Sequence, residues 1–295
     1  MKIFTAVLVS VLCVSLCCAG EVDVFELSKR GTPDELKAAL EAGAVFNVSR
    51  DYNGEEDGDY EEQERIFDMC ETPLHLAAAY NPNPESIKFL VSQGIDVNAG
   101  GSEGNGTSGT ALACAMWHNN YKAAKALLES GANPNQWYVM WFYCATTFHD
   151  AARITENSAD IKLIIEALLK AGGDINIHDE LDNEEWLHIR HYLKSSGYNS
   201  LVLTDGKITD TEAPFHLDRL SRVDTLNWSG TFTPLMYAVL YDNPDAVNIF
   251  LDYGADAKIR SAESMTAFDY AKCLPKDSKL RKSPAYNKLR KATRN

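Results

Sequence analysis

Apolar side chains recur along this chain in short blocks at helical spacing, as in Ile87, Leu90 and Val91, or Val247, Phe250 and Leu251. That interval places them on one face of an α-helix. The blocks open on capping chemistry: Asn83-Pro84 and Asn243-Pro244 each read as a cap followed by a first helical position, and Thr32-Pro33-Asp34-Glu35 reads as a capping box. They close near Gly94, Gly131 and Gly254, where glycine takes the left-handed turn at little cost. The pattern predicts many short helices in pairs. The N-terminus differs: Lys2 precedes an unbroken apolar run from Ile3 to Leu16, then Cys17-Cys18-Ala19-Gly20. Such a run falls short of the roughly 20 residues a membrane span needs. It reads as a secretory signal peptide over residues 1–19, cut after Ala19 or Gly20. Lipid attachment at Cys17 or Cys18 fits less well, because Leu16 and Cys17 precede them where a lipobox wants a small residue.

Two phrases repeat in register. Thr72-Pro73-Leu74-His75-Leu76-Ala77-Ala78 returns from Thr110, Thr146, Thr233 and Thr266, the last two 33 residues apart. The second phrase is Gly94-Ile95-Asp96-Val97-Asn98, with counterparts from Gly43, Gly131, Gly172 and Gly254. These residues resemble the ankyrin repeat, whose unit of about 33 residues carries a T-P-L-H-x-A phrase. The resemblance covers nearly everything from about Val22 to Ala271. It implies an all-α solenoid of about six helix pairs, in which each pair leaves an apolar face that its neighbour covers. The repeat domain then spans residues 20–271, interrupted at 48–70 and 178–230, with residues 272–295 as a basic C-terminal cap or tail. Within the second insertion, Glu184 to Lys194 reads as helical and Ser200 to Thr211 as a hairpin around Asp205-Gly206.

Composition changes the picture in two ways. The chain carries 28 basic and 42 acidic residues. Its C-terminal segment, residues 272–295, holds nine basic residues against Asp277 alone, so the body before it is strongly acidic. An acidic body repels phosphates and argues against nucleic acid, while favouring encounter with a basic protein. The basic segment reads first as a solvated cap, with membrane contact as the lesser reading. Beyond the leader there are four cysteines, Cys70, Cys114, Cys144 and Cys273. Cys70 and Cys144 sit at equivalent positions two repeats apart, hence roughly 20 Å from each other at about 10 Å per packed helix pair. A disulfide needs Cα atoms within about 7 Å. Four unpaired, mostly buried thiols are expected.

Candidate chemistry is sparse. The acidic stretch from Asn53 to Glu64 partly echoes a calcium loop, but Asn53 takes the leading acidic position, and a solvated loop is the preferred reading. His188 and His191 share a helix face without a recognisable metal spacing. His75 and His149 occupy the repeat's own histidine position, where the resemblance implies a structural tie between loops. Asn47, Asn105 and Asn227 head glycosylation sequons. No nucleophile elbow, phosphate loop or dinucleotide fingerprint occurs, and no cofactor or metal is expected.

The strongest local anomaly is Trp137-Tyr138-Val139-Met140-Trp141-Phe142-Tyr143, on a finger between repeats that is ordinarily polar. Aromatic side chains there suit a partner interface because they bury large area at low entropic cost. The competing reading packs the finger under the second insertion, against Trp186, Tyr192 or Trp228. The sequence therefore points to a monomeric, non-catalytic scaffold, secreted or periplasmic. It would bind a basic protein partner through Trp137, Tyr138, Met140, Trp141, Phe142 and Tyr143. The alternative is a metal-dependent hydrolase with its site in residues 178–230.

Overall fold

The computed structural model describes residues 22–49, 72–100, 109–140, 143–155, 157–179, 203–204, 207–208, 232–261 and 264–294. The chain forms two compact units, Met1–Asn133 and Pro134–Asn295. In the first, six helices pair in sequence: α1 (Val24–Arg30) with α2 (Pro33–Glu41), α3 (Pro73–Tyr80) with α4 (Pro84–Ser92), and α5 (Ala111–Trp117) with α6 (Tyr121–Glu129). Helices α1, α3 and α5 stack as one layer, and α2, α4 and α6 as a second. The first layer packs closely because its contact residues are small: Ala77, Ala78, Ala113 and Ala115 are all fully buried. The second supplies bulk through Leu36, Ile87, Leu90 and Leu127, each fully buried and each contributing about 2 kcal/mol of hydrophobic stabilisation.

The second unit repeats the plan: α7 (Thr147–Arg153) pairs with α8 (Ser158–Lys170), and α9 (Pro234–Leu240) with α10 (Pro244–Asp252). The last pair is α11 (Ala267–Cys273) with α13 (Pro284–Arg294), joined through the single turn α12 (Lys279–Lys282). Two short antiparallel hairpins interrupt the all-α plan. One joins β1 (Tyr138–Met140) to β2 (Tyr143–Ala145), and the other joins β3 (Leu203–Thr204) to β4 (Lys207–Ile208). In the second hairpin Leu203 pairs with Ile208 and Thr204 with Lys207, within the segment read as a hairpin from the sequence; Asp205 and Gly206 lie outside the described residues.

The two recurring phrases have distinct jobs. Thr72, Thr110, Thr233 and Thr266 cap the first helices with their hydroxyls. In the second phrase the closing asparagine reaches across to the next one: Asn98 Oδ1 accepts from Asn133 N at 2.7 Å, Asn135 Oδ1 from Asp174 N at 2.8 Å, and Asn176 Oδ1 from Asp256 N at 2.8 Å. Other asparagines satisfy the open end of the preceding first helix. Asn81 donates to the Ser28 and Gly31 carbonyls at 2.9 Å, Asn120 to those of Ala78 (3.0 Å) and Asn81 (2.8 Å), and Asn243 to those of Ala152 (3.0 Å) and Ile154 (2.6 Å). Each bond meets a buried carbonyl that would otherwise lose water without replacement.

Gly43, Gly94, Gly131, Gly172 and Gly254 take φ between 84 and 98°, as the turn after each second helix requires. Gly173 is needed for a different reason: a Cβ there would lie 2.6 Å from the Phe148 ring and 2.9 Å from the Leu168 carbonyl. The basic segment folds back as a cap, with Ala285 and Leu289 fully buried. Lys288 donates to the Asn248 carbonyl (3.0 Å) and to Asp252 (2.6 Å), and the Arg281 guanidinium donates to the Leu274 carbonyl at 2.8 Å. Cys114 and Cys273 are both free thiols, Cys114 buried and Cys273 exposed at the end of α11. Cys70, the side chain of Cys144, the leader, the acidic loop and the Glu184–Lys194 segment lie outside the described residues.

Candidate protein-binding site

The aromatic finger is the β1–β2 hairpin, in which Tyr138 pairs with Ala145, Val139 with Cys144, and Met140 with Tyr143. Trp141 and Phe142 lie outside the described residues, as do the side chains of Met140 and Tyr143. Trp137, half-buried at the foot of the hairpin, faces the His149 ring at 6.4 Å between centroids. Tyr138 departs from the expected surface role. It is only 2% exposed, and its hydroxyl donates to Asp150 Oδ2. The Tyr138 ring lies in the core beside α7, where its hydroxyl meets the Asp150 carboxylate.

Asp150 is the unusual member. It is fully buried on α7, at the place the equivalent phrases fill with Leu76, Cys114, Tyr237 and Tyr270. Burial raises its pKa, and the Arg153 guanidinium (Nε to Oδ1, 3.2 Å) and the Tyr138 hydroxyl pull it back down. Sequence reasoning passed over this residue, although an acid inside an otherwise apolar repeat position is a visible signal.

A second buried carboxylate holds the other interruption. Asp179 accepts from the Phe232 backbone N–H and from the Tyr237 hydroxyl (2.8 Å), while its own N–H donates to the Phe232 carbonyl at 3.1 Å. The chain thus leaves the repeat at Asp179 and re-enters beside it at Phe232. Asp179 is committed to this closure. His188 and His191 lie outside the described residues.

Between the two carboxylates sits His149, fully buried. Its Nδ1 accepts from the Thr146 backbone N–H at 3.2 Å, so Nε2 carries the proton and donates to the Phe232 carbonyl at 3.0 Å. Burial pushes its pKa down to about 4, opposed by the Phe232 carbonyl and reinforced by His178. His75 makes the same tie in the first unit, with Nδ1 2.6 Å from the Thr72 hydroxyl and Nε2 3.1 Å from the Gly109 carbonyl. Both histidines are structural ties, as the resemblance implied. The geometry brings together Trp137, Tyr138, His149, Asp150 and Arg153 at one end of α7, as a braced hairpin root.

Known proteins agree with this architecture. Sequence models of ankyrin repeats match residues 30–136, as three copies, and residues 223–271, together more than half of the chain. The chain belongs to the ankyrin-repeat proteins, whose framework is a protein-binding scaffold. No curated protein sequence matches it. Among solved structures it is similar in fold to a chain in the complex of the predatory endopeptidase Bd0816 from Bdellovibrio bacteriovorus with the immunity protein Bd3460. That match has a TM-score of 0.51 at 18% identity, over 92% of this chain and 99% of that one.

Proposed function

We propose that this protein is a non-catalytic scaffold that captures and neutralises a basic protein partner outside the cytoplasm, using the β1–β2 finger as an anchor. The observation that carries the reading is the buried Asp150. A carboxylate inside a repeat core is costly unless it does something for the fold or the site. Here it braces Tyr138, and with it the root of the hairpin whose sequence carries Trp137, Met140, Trp141, Phe142 and Tyr143. A braced finger loses less entropy on docking than a free one. The acidic body supports a basic partner by charge complementarity. The apolar leader supports export, and the similar chain in an endopeptidase–immunity protein complex supports a neutralising role for this architecture. The protein acts as a monomer in this reading.

The test is capture of partners by the purified full chain from extracts of the source cells, with and without the triple substitution Trp137→Ser, Trp141→Ser and Phe142→Ser. The captured species should have a high isoelectric point, and the triple variant should lose at least nine-tenths of it while keeping its helical circular dichroism. Undiminished capture by the variant would show that the finger is not the anchor. Fractionation of source cells should find the protein outside the cytoplasm.

A further inference from the structure

The C-terminal cap presents a face that the finger-based reading does not use. Beyond its first residue, the exposed Pro284, the exposed positions of α13 are Asn287, Arg290, Lys291 and Arg294, a three–four–seven spacing that forms one stripe along the helix. The opposite stripe is spent on the fold, through buried Ala285 and Leu289 and the Lys288 contacts to Asn248 and Asp252. Lys276, Lys279 and Lys282, in and before α12, are also exposed. Among the described residues, none of Lys276, Lys279, Lys282, Arg290, Lys291 and Arg294 forms an ion pair. The nearby acids that do pair are satisfied by other cations, Asp269 by Lys272 at 2.6 Å and Asp252 by Lys288 at 2.6 Å.

We propose that this basic end face docks the protein on an anionic phospholipid bilayer. Three observations favour that occupant. First, the face offers charge without an apolar anchor. Tyr286 is half-buried against Phe268, with centroids 5.2 Å apart, and lies beneath the Arg281 guanidinium at 5.8 Å. A protein partner would ordinarily need a buried aromatic or aliphatic hot spot, whereas a headgroup layer needs only cation density. Second, the apolar stripe of α13 is packed inside the fold, so the helix lies on the surface as a charged face and does not insert. Third, the acidic body does not prevent this contact. At physiological salt, charges more than about 8 Å from the surface are largely screened, so the end face governs the encounter.

The experiment is co-sedimentation of the full chain with vesicles of phosphatidylcholine alone and of phosphatidylcholine with 30 mol% phosphatidylglycerol, at 50 and 300 mM salt. Its partner is the charge reversal Lys282→Glu, Arg290→Glu, Lys291→Glu and Arg294→Glu. All four side chains are exposed, so thermal unfolding of the variant should match the parent within a few degrees. Binding is expected only to the phosphatidylglycerol vesicles, at least tenfold weaker at 300 mM salt, and at least tenfold weaker for the variant. The leader is identical in both proteins, so membrane association through residues 1–19 would appear in both and on both vesicle types. Equal binding by parent and variant overturns the proposal, as does absence of binding to anionic vesicles at 50 mM salt. Tighter binding of the parent to a short DNA duplex than to the vesicles overturns it in favour of a nucleic-acid ligand. None of these outcomes bears on the finger, which is read out by partner capture.

Discussion

Replacing Asp150 by leucine, alone and together with Tyr138→Phe, measures how firmly the finger is braced. In the parent, Tyr138 is 2% exposed and donates to a fully buried carboxylate. A hydrogen bond to a charged group of this kind contributes about 1.5–3 kcal/mol net. Tyr138→Phe should therefore cost about 2 kcal/mol, since the buried Asp150 carboxyl loses a donor. Asp150→Leu takes the acceptor from a buried hydroxyl, at about 1–3 kcal/mol, but gains the hydrophobic burial that Leu76 makes at the equivalent position. The single change should thus cost about 1 kcal/mol. The double variant puts two apolar groups in contact and leaves Arg153, whose side chain is 27% exposed, to water. It should fall within about 1 kcal/mol of the parent or exceed it. The coupling energy of the cycle is then about 2 kcal/mol in favour of the pair. Urea denaturation of the four proteins, followed by circular dichroism, gives each value. Additive effects, with coupling below about 0.5 kcal/mol, would refute the claim that Asp150 holds Tyr138. If the brace matters for binding, the double variant should be as stable as the parent and yet capture its partner more weakly.

Several further outcomes follow from contacts already described. His149 is neutral in the fold with its pKa lowered to about 4, so the unfolded chain takes up its proton first as pH falls. Its contribution to stability is complete above about 6.5 and is lost as pH falls toward 4, up to about 3 kcal/mol, which urea midpoints at pH 7, 5.5 and 4.5 should register. Asp150 runs the other way: burial raises its pKa, so its contribution falls as pH rises past the ordinary aspartate value, and Asp150→Leu should remove that slope. Asn243→Ala strips two carbonyls of their donor and should cost about 2–3 kcal/mol, read as a lowered urea midpoint. Gly173→Ala forces a methyl into the Phe148 ring and should destabilise by about 1–3 kcal/mol, with a correspondingly lowered thermal midpoint. Replacing residues 180–231 by a short glycine–serine linker should leave helical content and cooperative unfolding intact, because Asp179 and Phe232 already lie side by side; loss of the cooperative transition would contradict that closure.

The helices are readable in the sequence because most open on a threonine or asparagine cap, often with a proline next, and α2, α4, α6, α8 and α10 are each followed by a glycine where the turn goes left-handed. These are local signals, and they survive at every repeat. The β3–β4 pairing is readable for a like reason, a turn signal between two short runs. The braces are not, because they depend on partners far along the chain. Asp179 meets Phe232 and Tyr237 across residues 180–231, and no pattern of neighbours announces that meeting. Tyr138 reads as one more exposed aromatic, because its partner Asp150 stands 12 residues on in a different element. Asp150 was the exception, a non-local role with a local clue, since the aligned positions are Leu76, Cys114, Tyr237 and Tyr270.

The histidine tie has a consequence for how this architecture changes over time. His75 reaches Gly109, 34 residues away, and His149 reaches Phe232, 83 residues away, through the same atoms at distances of 3.1 and 3.0 Å. The stack measures its neighbours in space and is indifferent to how much chain passes between them. The junction at Asp179 and Phe232 is accordingly a socket. Any foreign domain whose ends lie a few ångströms apart can be grafted there, or lost again, while the rungs on either side stay in register.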